Sequence, residues 1–227
     1  MGAEDLAHRW RQMVEAREAQ AHRLRPGAGG AGFWDRRAEG FARVARTFQQ
    51  DRLLDLLVQQ VTPGTTVLDV GAGPGRYTLP LARAGAQVIA VEPSQGMRSF
   101  LEQAVVEEDL AVTVVPASWE EAEVPPCDVA LCSHVVYGVR DILPFLQKLD
   151  AHARRACFLA IRVSQFDAYV RPLWEQIFDE PRAPEPTFID LYTLLYAMGI
   201  AANVEIVPFG GRRGVGPGGG FADLEEA

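Results

Sequence analysis

A glycine-rich turn is the part of this 227-residue chain best suited to bind a ligand with its backbone. Gly71, Gly73 and Gly75 lie within VLDVGAGPGRYT (67–78), directly after a predicted strand and directly before a predicted helix. Glycines let the chain turn sharply and let a ligand approach the main chain, while the first amides of the helix offer hydrogen-bond donors. A tight turn that needs positive φ is the simpler explanation, but three glycines exceed what one such turn requires.

The spacing of these glycines separates two ligand classes, dinucleotides and S-adenosylmethionine. Dinucleotide folds show G-x-G-x-x-G, whereas the third glycine comes one residue earlier here. Asp69 stands two residues before the first glycine. At the mouth of the turn, its carboxylate would repel a pyrophosphate but suit the ammonium group of a methionine moiety. The residues therefore favour S-adenosylmethionine, and an NAD-type oxidoreductase is the alternative.

The segments around the turn alternate between β-branched runs and helical patterns. Strands are predicted at 65–70, 86–92, 111–116, 127–133 and 157–163, and helices near 75–84, 94–107 and 140–154. This alternation is typical of βαβ units and predicts an α/β fold with a doubly wound, mostly parallel sheet. Ligands of such sheets bind beyond the carboxyl ends of the strands, which is where the glycine turn lies.

Further elements are predicted on both sides of this core. An N-terminal helical cap (1–62) contains a helix over 3–24 and a second helical stretch over 34–61. The core (63–209) includes a helical lid after the fifth strand and ends in a sixth strand; these elements are predicted at 165–200 and 202–209. The glycine-rich tail (210–227) is expected to be flexible. It offers no seventh strand, so either the chain is truncated or the sheet closes with fewer strands.

Two segments of the chain, VLDVGAGPGRYT and the following VIAVEPS (88–94), resemble the first two motifs of the class I S-adenosylmethionine-dependent methyltransferase family. The resemblance is particularly to the small-molecule, type 11-like branch of that family. The resemblance spans about residues 33–163. It implies a Rossmann-like methyltransferase fold that uses S-adenosylmethionine and releases S-adenosylhomocysteine. It also implies that the turn wraps the methionine and ribose portions of the cofactor, through Gly71, Ala72, Gly73 and Gly75. Glu92 would hold both ribose hydroxyls, although a carboxylate at this position suits NAD as well.

The same resemblance implies which residues surround the adenine. Pro93 and Met97 would pack beside the base, although a core position in the following helix accounts for Met97 nearly as well. Relatives usually place an acidic or polar side chain after the third strand. Ser118 is the matching polar residue here, and Trp119 could stack on the base or flank it.

The end of the fourth strand, CDVALCSHVVYGV (127–139), matches the family's fourth motif, which faces the transferred methyl group. Ser133, His134 and Tyr137 are therefore expected to project toward the site, with Ser133 at the cofactor and with His134 and Tyr137 facing the acceptor. His134 is the candidate general base, with Tyr137 beside it, because a histidine can accept a proton near neutral pH. A structural histidine is an equal alternative, since alignment and desolvation carry much of a methyl transfer.

Charge and local sequence bear on the acceptor. The chain has a net charge of −8 and a single lysine, Lys148, so no basic stripe compensates for repulsion from a nucleic acid. DNA amino-methyltransferases carry a proline pair in the fourth motif, whereas Pro125 and Pro126 precede this strand. We therefore expect a small-molecule acceptor. A non-catalytic binding or assembly protein of the same fold is a further alternative.

The remaining composition bears on location and on metals. No apolar run reaches 18 residues, and the first ten residues lack the apolar region of a signal peptide, so we expect a cytoplasmic protein without a membrane partner. The cysteines lie in or beside predicted strands, and we expect buried small hydrophobes rather than a disulfide or a metal site. These residues are Cys127, Cys132 and Cys157.

Overall fold

Five strands form one parallel sheet in the computed structural model, which describes residues 1–24, 32–46, 51–163 and 171–207. They are β1 (Thr66–Val70), β2 (Gln87–Val91), β3 (Val112–Val115), β4 (Cys127–Ser133) and β5 (Ala153–Ala160). They pair in the order β3-β2-β1-β4-β5. The chain steps outward from β1 to β3 and then crosses to the other side. The switch point therefore lies between β1 and β4, and the predicted fold class is confirmed.

Helices cover both faces of the sheet. They are α1 (Ala3–Leu24), α2 (Ala38–Arg46), α3 (Arg52–Val58), α4 (Thr78–Arg83), α5 (Gln95–Glu107), α6 (Ile142–His152), α7 (Arg171–Phe178) and α8 (Phe188–Ala197), with a 3₁₀ turn at Asp35–Arg37. Alternate side chains of β4 pack on opposite sides, with Ala130 and Cys132 toward α1, α6 and α8 and with Val129 and Leu131 toward α3 and α4. This two-sided burial explains why the strand is apolar throughout.

The second N-terminal helical stretch is interrupted, contrary to the prediction of one stretch over 34–61. The structure has α2 and α3 as separate helices, and residues 47–50 between them lie outside the described part. Asp51 has an extended backbone, and its side chain accepts a hydrogen bond from the Leu54 amide at 2.9 Å. An aspartate at this position begins a new helix, because it satisfies an amide that has no partner within the helix.

The edge beyond β4 also differs from the prediction. β5 begins at Ala153, where α6 has just ended, rather than at residue 157. The predicted sixth strand is wrong over residues 202–207, which pair with no described strand and leave Val204 and Ile206 exposed. An alternating run becomes a strand only where a sheet edge accepts its backbone bonds. Residues 208–227, including the predicted tail, lie outside the described part.

The burial of each cysteine depends on where its strand lies in the sheet. Cys127 and Cys132 lie in β4 and are buried, as expected, but Cys157 in β5 is exposed. β5 is the outermost strand of the described sheet, and most of its residues are only partly covered. Among the described helices, none combines the length and the apolar character needed to cross a bilayer.

Candidate active site

The glycine turn meets the loop after β4 at the switch point of the sheet. The amides of Gly71 and Ala72 donate to the Val91 carbonyl at 2.8 and 3.2 Å, which ties the turn to the end of β2. Gly71 has φ +73°, and a Cβ there would lie 2.3 Å from a methyl of Val135. Glycine is required here by packing, because the Val135 side chain fills the space that a side chain would need.

The other two glycines of the turn have different surroundings. Gly75 has φ +95°, and a Cβ there would lie 2.8 Å from atoms of Leu79 and Leu101. Gly73 has φ +56°, but a Cβ at this position would meet no atom within 4 Å. Gly73 is thus the glycine of the turn that faces open space, where a ligand can approach the backbone.

Glu92 reaches from the end of β2 into this turn. One carboxylate oxygen accepts from the Gly73 amide at 2.8 Å, and the other accepts from the Ser94 amide at 2.8 Å. Burial raises the pKa of Glu92, against the lowering effect of these two amide hydrogen bonds. Each carboxylate oxygen has a second lone-pair site, so the group can accept further donors from a ligand.

Asp69 lies inside the sheet, and our expectation that it lines the mouth of the turn is wrong. The residue is 2% exposed, and its carboxylate accepts from the Thr78 hydroxyl at 2.6 Å. This contact joins β1 to the first turn of α4. Desolvation raises the pKa of Asp69 to about 6, with a further contribution from the negative charge of Glu92. Asp69 therefore holds the shape of the turn, and its place beside the cofactor stays a prediction.

The residues expected around adenine are only partly brought together. Met97 is buried in the first turn of α5, and its amide donates to the Ser94 hydroxyl at 3.2 Å. Pro93 is exposed directly beside Glu92. Both residues therefore flank the carboxylate, and Met97 also fills the core position that was its alternative.

The two residues after β3 lie in a separate turn. The Ser118 hydroxyl donates to Glu121 at 3.1 Å, and the Trp119 indole donates to the Phe145 carbonyl at 3.3 Å. Trp119 is 3% exposed and packs against α6, where the Lys148 ammonium lies 4.5 Å from its ring centroid. This burial places Trp119 in the core and speaks against stacking on a base, whereas a position flanking the base stays a prediction.

Ser133 and His134 leave the end of β4 in different directions. Ser133 hydrogen-bonds to the Tyr77 hydroxyl, which also donates to Asp51 at 2.9 Å. His134 has φ +60°, a left-handed conformation that is uncommon outside glycine, and its amide donates to the Ala160 carbonyl at 2.9 Å. The strained backbone turns His134 away from the strand toward the surface.

A hydrogen-bonded chain links His134 to the end of β5. Nδ1 of His134 lies 2.8 Å from the Tyr137 hydroxyl, and that hydroxyl accepts from the Arg162 amide at 2.8 Å. The Arg162 guanidinium lies 4.8 Å from the centroid of the Tyr137 ring. Desolvation and the positive charges of Arg162 and Arg76 lower the pKa of His134 to about 4, although the residue is exposed at the surface. His134 is therefore neutral at physiological pH.

Two aspartates of the N-terminal segment join this site, and sequence reasoning missed Asp51 as a site residue. Asp35 accepts from the Ser94 hydroxyl at 2.5 Å and from the Gly96 amide at 2.8 Å, directly beside Glu92. Asp51 accepts from Tyr77 and from the Arg76 guanidinium, the latter at 3.0 Å. The helix-starting position of Asp51 was the available signal, but nothing local indicates a partner 25 residues away.

Comparisons with known proteins agree with this geometry. Residues 68–161 match the family model described as a methyltransferase domain. The chain is 33% identical over 179 residues to an uncharacterised protein from Haemophilus influenzae, covering 77% of this chain and 65% of that protein. It is 36% identical over 89 residues to a ubiquinone biosynthesis O-methyltransferase from Bradyrhizobium diazoefficiens, covering 39% of this chain and 35% of that enzyme. The chain thus spans less than two thirds of the length of either relative.

A solved structure shares the fold of this chain. The magnesium protoporphyrin IX methyltransferase from Synechocystis PCC 6803, crystallised with S-adenosylhomocysteine, superposes with a TM-score of 0.59 at 20% identity, covering 87% of this chain and 91% of that one. At this identity the likeness shows the fold. The residues matched by the family model run from β1 to just beyond β5, so the sheet that builds the crevice is the matched domain. The stretch from β1 to just beyond β5 is therefore similar to a methyltransferase domain, and its fold is that of the Synechocystis enzyme.

Proposed function

We propose that this chain transfers a methyl group from S-adenosylmethionine to a small-molecule acceptor. The observation that carries the proposal is the open space at Gly73, with the Glu92 carboxylate on its amide. This geometry fits a nucleoside: the backbone can be approached closely, and the carboxylate has lone pairs left for two hydroxyl donors. Gly71, Ala72, Gly73 and Glu92 would hold the cofactor, which supplies an electrophilic methyl group on a positively charged sulfur.

The protein residues would act mainly by alignment. Val135, in the loop after β4, packs against Gly71 in the turn after β1. This contact would hold the bound cofactor at a set distance from the acceptor. In-line displacement at carbon gains most of its rate from such positioning. His134 and Tyr137 would face the acceptor, since they follow β4, the strand next to β1.

The acceptor is proposed to be a small molecule rather than a nucleic acid. The net charge of −8 opposes approach to a phosphate backbone. The relatives named for ubiquinone biosynthesis and for magnesium protoporphyrin IX support this class. The cytoplasmic location expected from the sequence stays a prediction.

Calorimetry with S-adenosylhomocysteine, S-adenosylmethionine and NAD tests the cofactor. We expect both adenosyl compounds to bind and NAD to give no signal. Glu92→Gln should weaken S-adenosylhomocysteine binding about 10- to 100-fold, because a charge-assisted hydrogen-bond acceptor is lost. Glu102→Gln, an exposed carboxylate on α5, is the matched control and should bind like the parent.

Two outcomes would reject the proposal. Tight NAD binding without an S-adenosylhomocysteine signal would favour an oxidoreductase. Cofactor binding with no S-adenosylhomocysteine release from S-adenosylmethionine, across a panel of carboxylic acids, phenols, amines and thiols, would favour a non-catalytic binding role.

A further inference from the structure

The Tyr137 hydroxyl has two contacts, and together they determine the state of His134. The hydroxyl lies 2.8 Å from the Arg162 amide and 2.8 Å from Nδ1 of His134. The amide is a donor only, so the Tyr137 oxygen must accept from it. The phenolic hydrogen is then left to be donated elsewhere.

Within the part of the chain that the structure describes, Nδ1 of His134 is the one acceptor within reach of that hydrogen. If Nδ1 carried a hydrogen instead, the half-buried hydroxyl would accept twice and its own hydrogen would have no protein partner. Buried and half-buried donors are rarely left without a partner, because desolvation without a hydrogen bond costs about 1–3 kcal/mol.

We propose that Tyr137 donates its hydroxyl hydrogen to Nδ1 of His134, which fixes the imidazole as the Nε2–H tautomer. His134 is then a hydrogen-bond donor toward the methyl acceptor and not its general base. Nε2 makes no hydrogen bond to the described residues, so this N–H is available to a ligand. The role of Tyr137 is to position the imidazole and fix its tautomer.

This assignment rests on the proposed function for its chemical consequence. A site without a base suits an acceptor that is already ionised, such as a carboxylate, with one oxygen accepting from Nε2–H. The other oxygen forms the new bond to the methyl carbon while the carbon–sulfur bond breaks, and the electron pair stays on sulfur as a neutral thioether. No proton has to be removed. The Arg162 guanidinium, 4.8 Å from the centroid of the Tyr137 ring, adds a positive charge that suits the same class of acceptor.

Long-range ¹H–¹⁵N NMR of the ¹⁵N-labelled full chain at pH 8 tests the tautomer directly, without cofactor or acceptor. The His134 signals are identified by their absence from His134→Gln. We expect the Nε2–H pattern for His134. His152 is an internal reference of the opposite kind, because its Nδ1 lies 2.7 Å from the Lys148 carbonyl, which can only accept. Its signals should show the Nδ1–H pattern.

Tyr137→Phe tests whether the Tyr137 hydroxyl positions the His134 imidazole or contributes only to the fold. Without the hydroxyl, we expect the His134 nitrogen shifts to move toward the average of both tautomers, while the His152 signals stay in place. An Nδ1–H pattern for His134 in the parent protein would overturn the proposal without any variant. Unchanged nitrogen shifts of His134 in Tyr137→Phe would overturn it as well. Methylation confined to acceptors whose attacking atom carries a proton at pH 8 would overturn the consequence for the acceptor. Calorimetry with S-adenosylhomocysteine reports separately on the proposed function.

Discussion

Gly73 and Gly85 share a backbone requirement but differ in their surroundings. Both have positive φ, +56° and +98°, and a Cβ at either position would meet nothing within 4 Å. An alanine at either position should therefore cost about 1 kcal/mol of backbone strain without a clash. Only Gly73 lies beside Glu92. We predict that Gly73→Ala weakens S-adenosylhomocysteine binding at least about tenfold by calorimetry, because the methyl would occupy the ligand's space.

Gly85→Ala is the control for this prediction. It should lose as much stability as Gly73→Ala but bind S-adenosylhomocysteine as tightly as the parent does. Gly71→Ala should behave differently again, since its Cβ would lie 2.3 Å from Val135. We expect a lower melting temperature and not only weaker binding. Equal affinities for Gly73→Ala and Gly85→Ala would remove Gly73 from the cofactor site.

The buried carboxyl of Asp69 predicts a pH dependence of stability. Its pKa is about 6 in the folded protein against an ordinary value of 3.8, so the folded state binds the proton more tightly. The stabilisation is fully present below about pH 4 and is lost as the pH rises through 6. The two-unit difference corresponds to about 3 kcal/mol. Asp69→Asn cannot ionise and can still accept from Thr78.

Urea unfolding of the parent and of Asp69→Asn at pH 4, 5, 6 and 7 measures this effect. The difference between the two free energies of unfolding should shift in favour of the variant by about 2 kcal/mol over this range, because the unfolded carboxyl is already more than half ionised at pH 4. A difference that is independent of pH would mean that Asp69 ionises normally in the folded protein. Groups that titrate in both proteins without interacting with Asp69 cancel in the comparison, whereas Glu92, whose charge raises the Asp69 pKa, contributes to it.

At the scale of elements, Asp35 joins the N-terminal segment to the first turn of α5. Its carboxylate accepts from Ser94 and Gly96, and a Cβ at Gly96 would lie 3.0 Å from the Asp35 backbone. We predict that Asp35→Ala releases this segment, because both hydrogen bonds are lost. Hydrogen–deuterium exchange should rise for peptides within 35–46. Addition of S-adenosylhomocysteine should then slow the exchange of these peptides less in the variant than it does in the parent.

Glu39→Ala is the matched control, since Glu39 lies in α2 and its exposed carboxylate pairs with the exposed Arg43 at 3.3 Å. Its exchange should stay that of the parent. If both variants exchange alike, the contact of Asp35 does not hold the segment.

The strands were predictable from sequence because burial on both faces leaves a continuous apolar run, as in β4. Helix and strand boundaries that depend on single contacts were not predictable from the sequence. The break before α3 depends on the cap made by Asp51, and the early start of β5 depends on its pairing with β4. Residues 202–207 carry a strand pattern, but no described edge pairs with them.

Within the candidate site, the positions that local chain geometry fixes were predictable, and Glu92 at the end of β2 is the example. The environment of a side chain was not. Asp69 and Trp119 have the residue types expected of ligand contacts, but tertiary packing turns one toward Thr78 and the other into the core beside α6. Sequence spacing does not encode such contacts.

At the scale of the whole molecule, α1 connects the N-terminus to the segment after β5. The Trp10 indole donates to the Val139 carbonyl at 2.8 Å, close to the acceptor side, and Arg17 donates to the Ala183 carbonyl at 2.7 Å. Arg23 forms an ion pair with Glu180. Exposed pairs of this kind contribute little, so the buried contacts carry the connection.

Gln20 carries most of this connection, because it is 9% exposed and bonded on both ends of its amide. Its NH₂ group donates to the Pro181 carbonyl at 2.9 Å and to Glu180 at 3.0 Å, and its oxygen accepts from the Ala183 amide at 2.8 Å. Gln20→Ala should lower the free energy of unfolding by about 1–3 kcal/mol and raise hydrogen–deuterium exchange over 171–190, since backbone groups of the loop lose their partners. Gln12→Ala on the exposed side of α1 should do neither. A Gln20 variant as protected as Gln12→Ala would show that α7 and α8 hold their positions without the hydrogen bonds of Gln20.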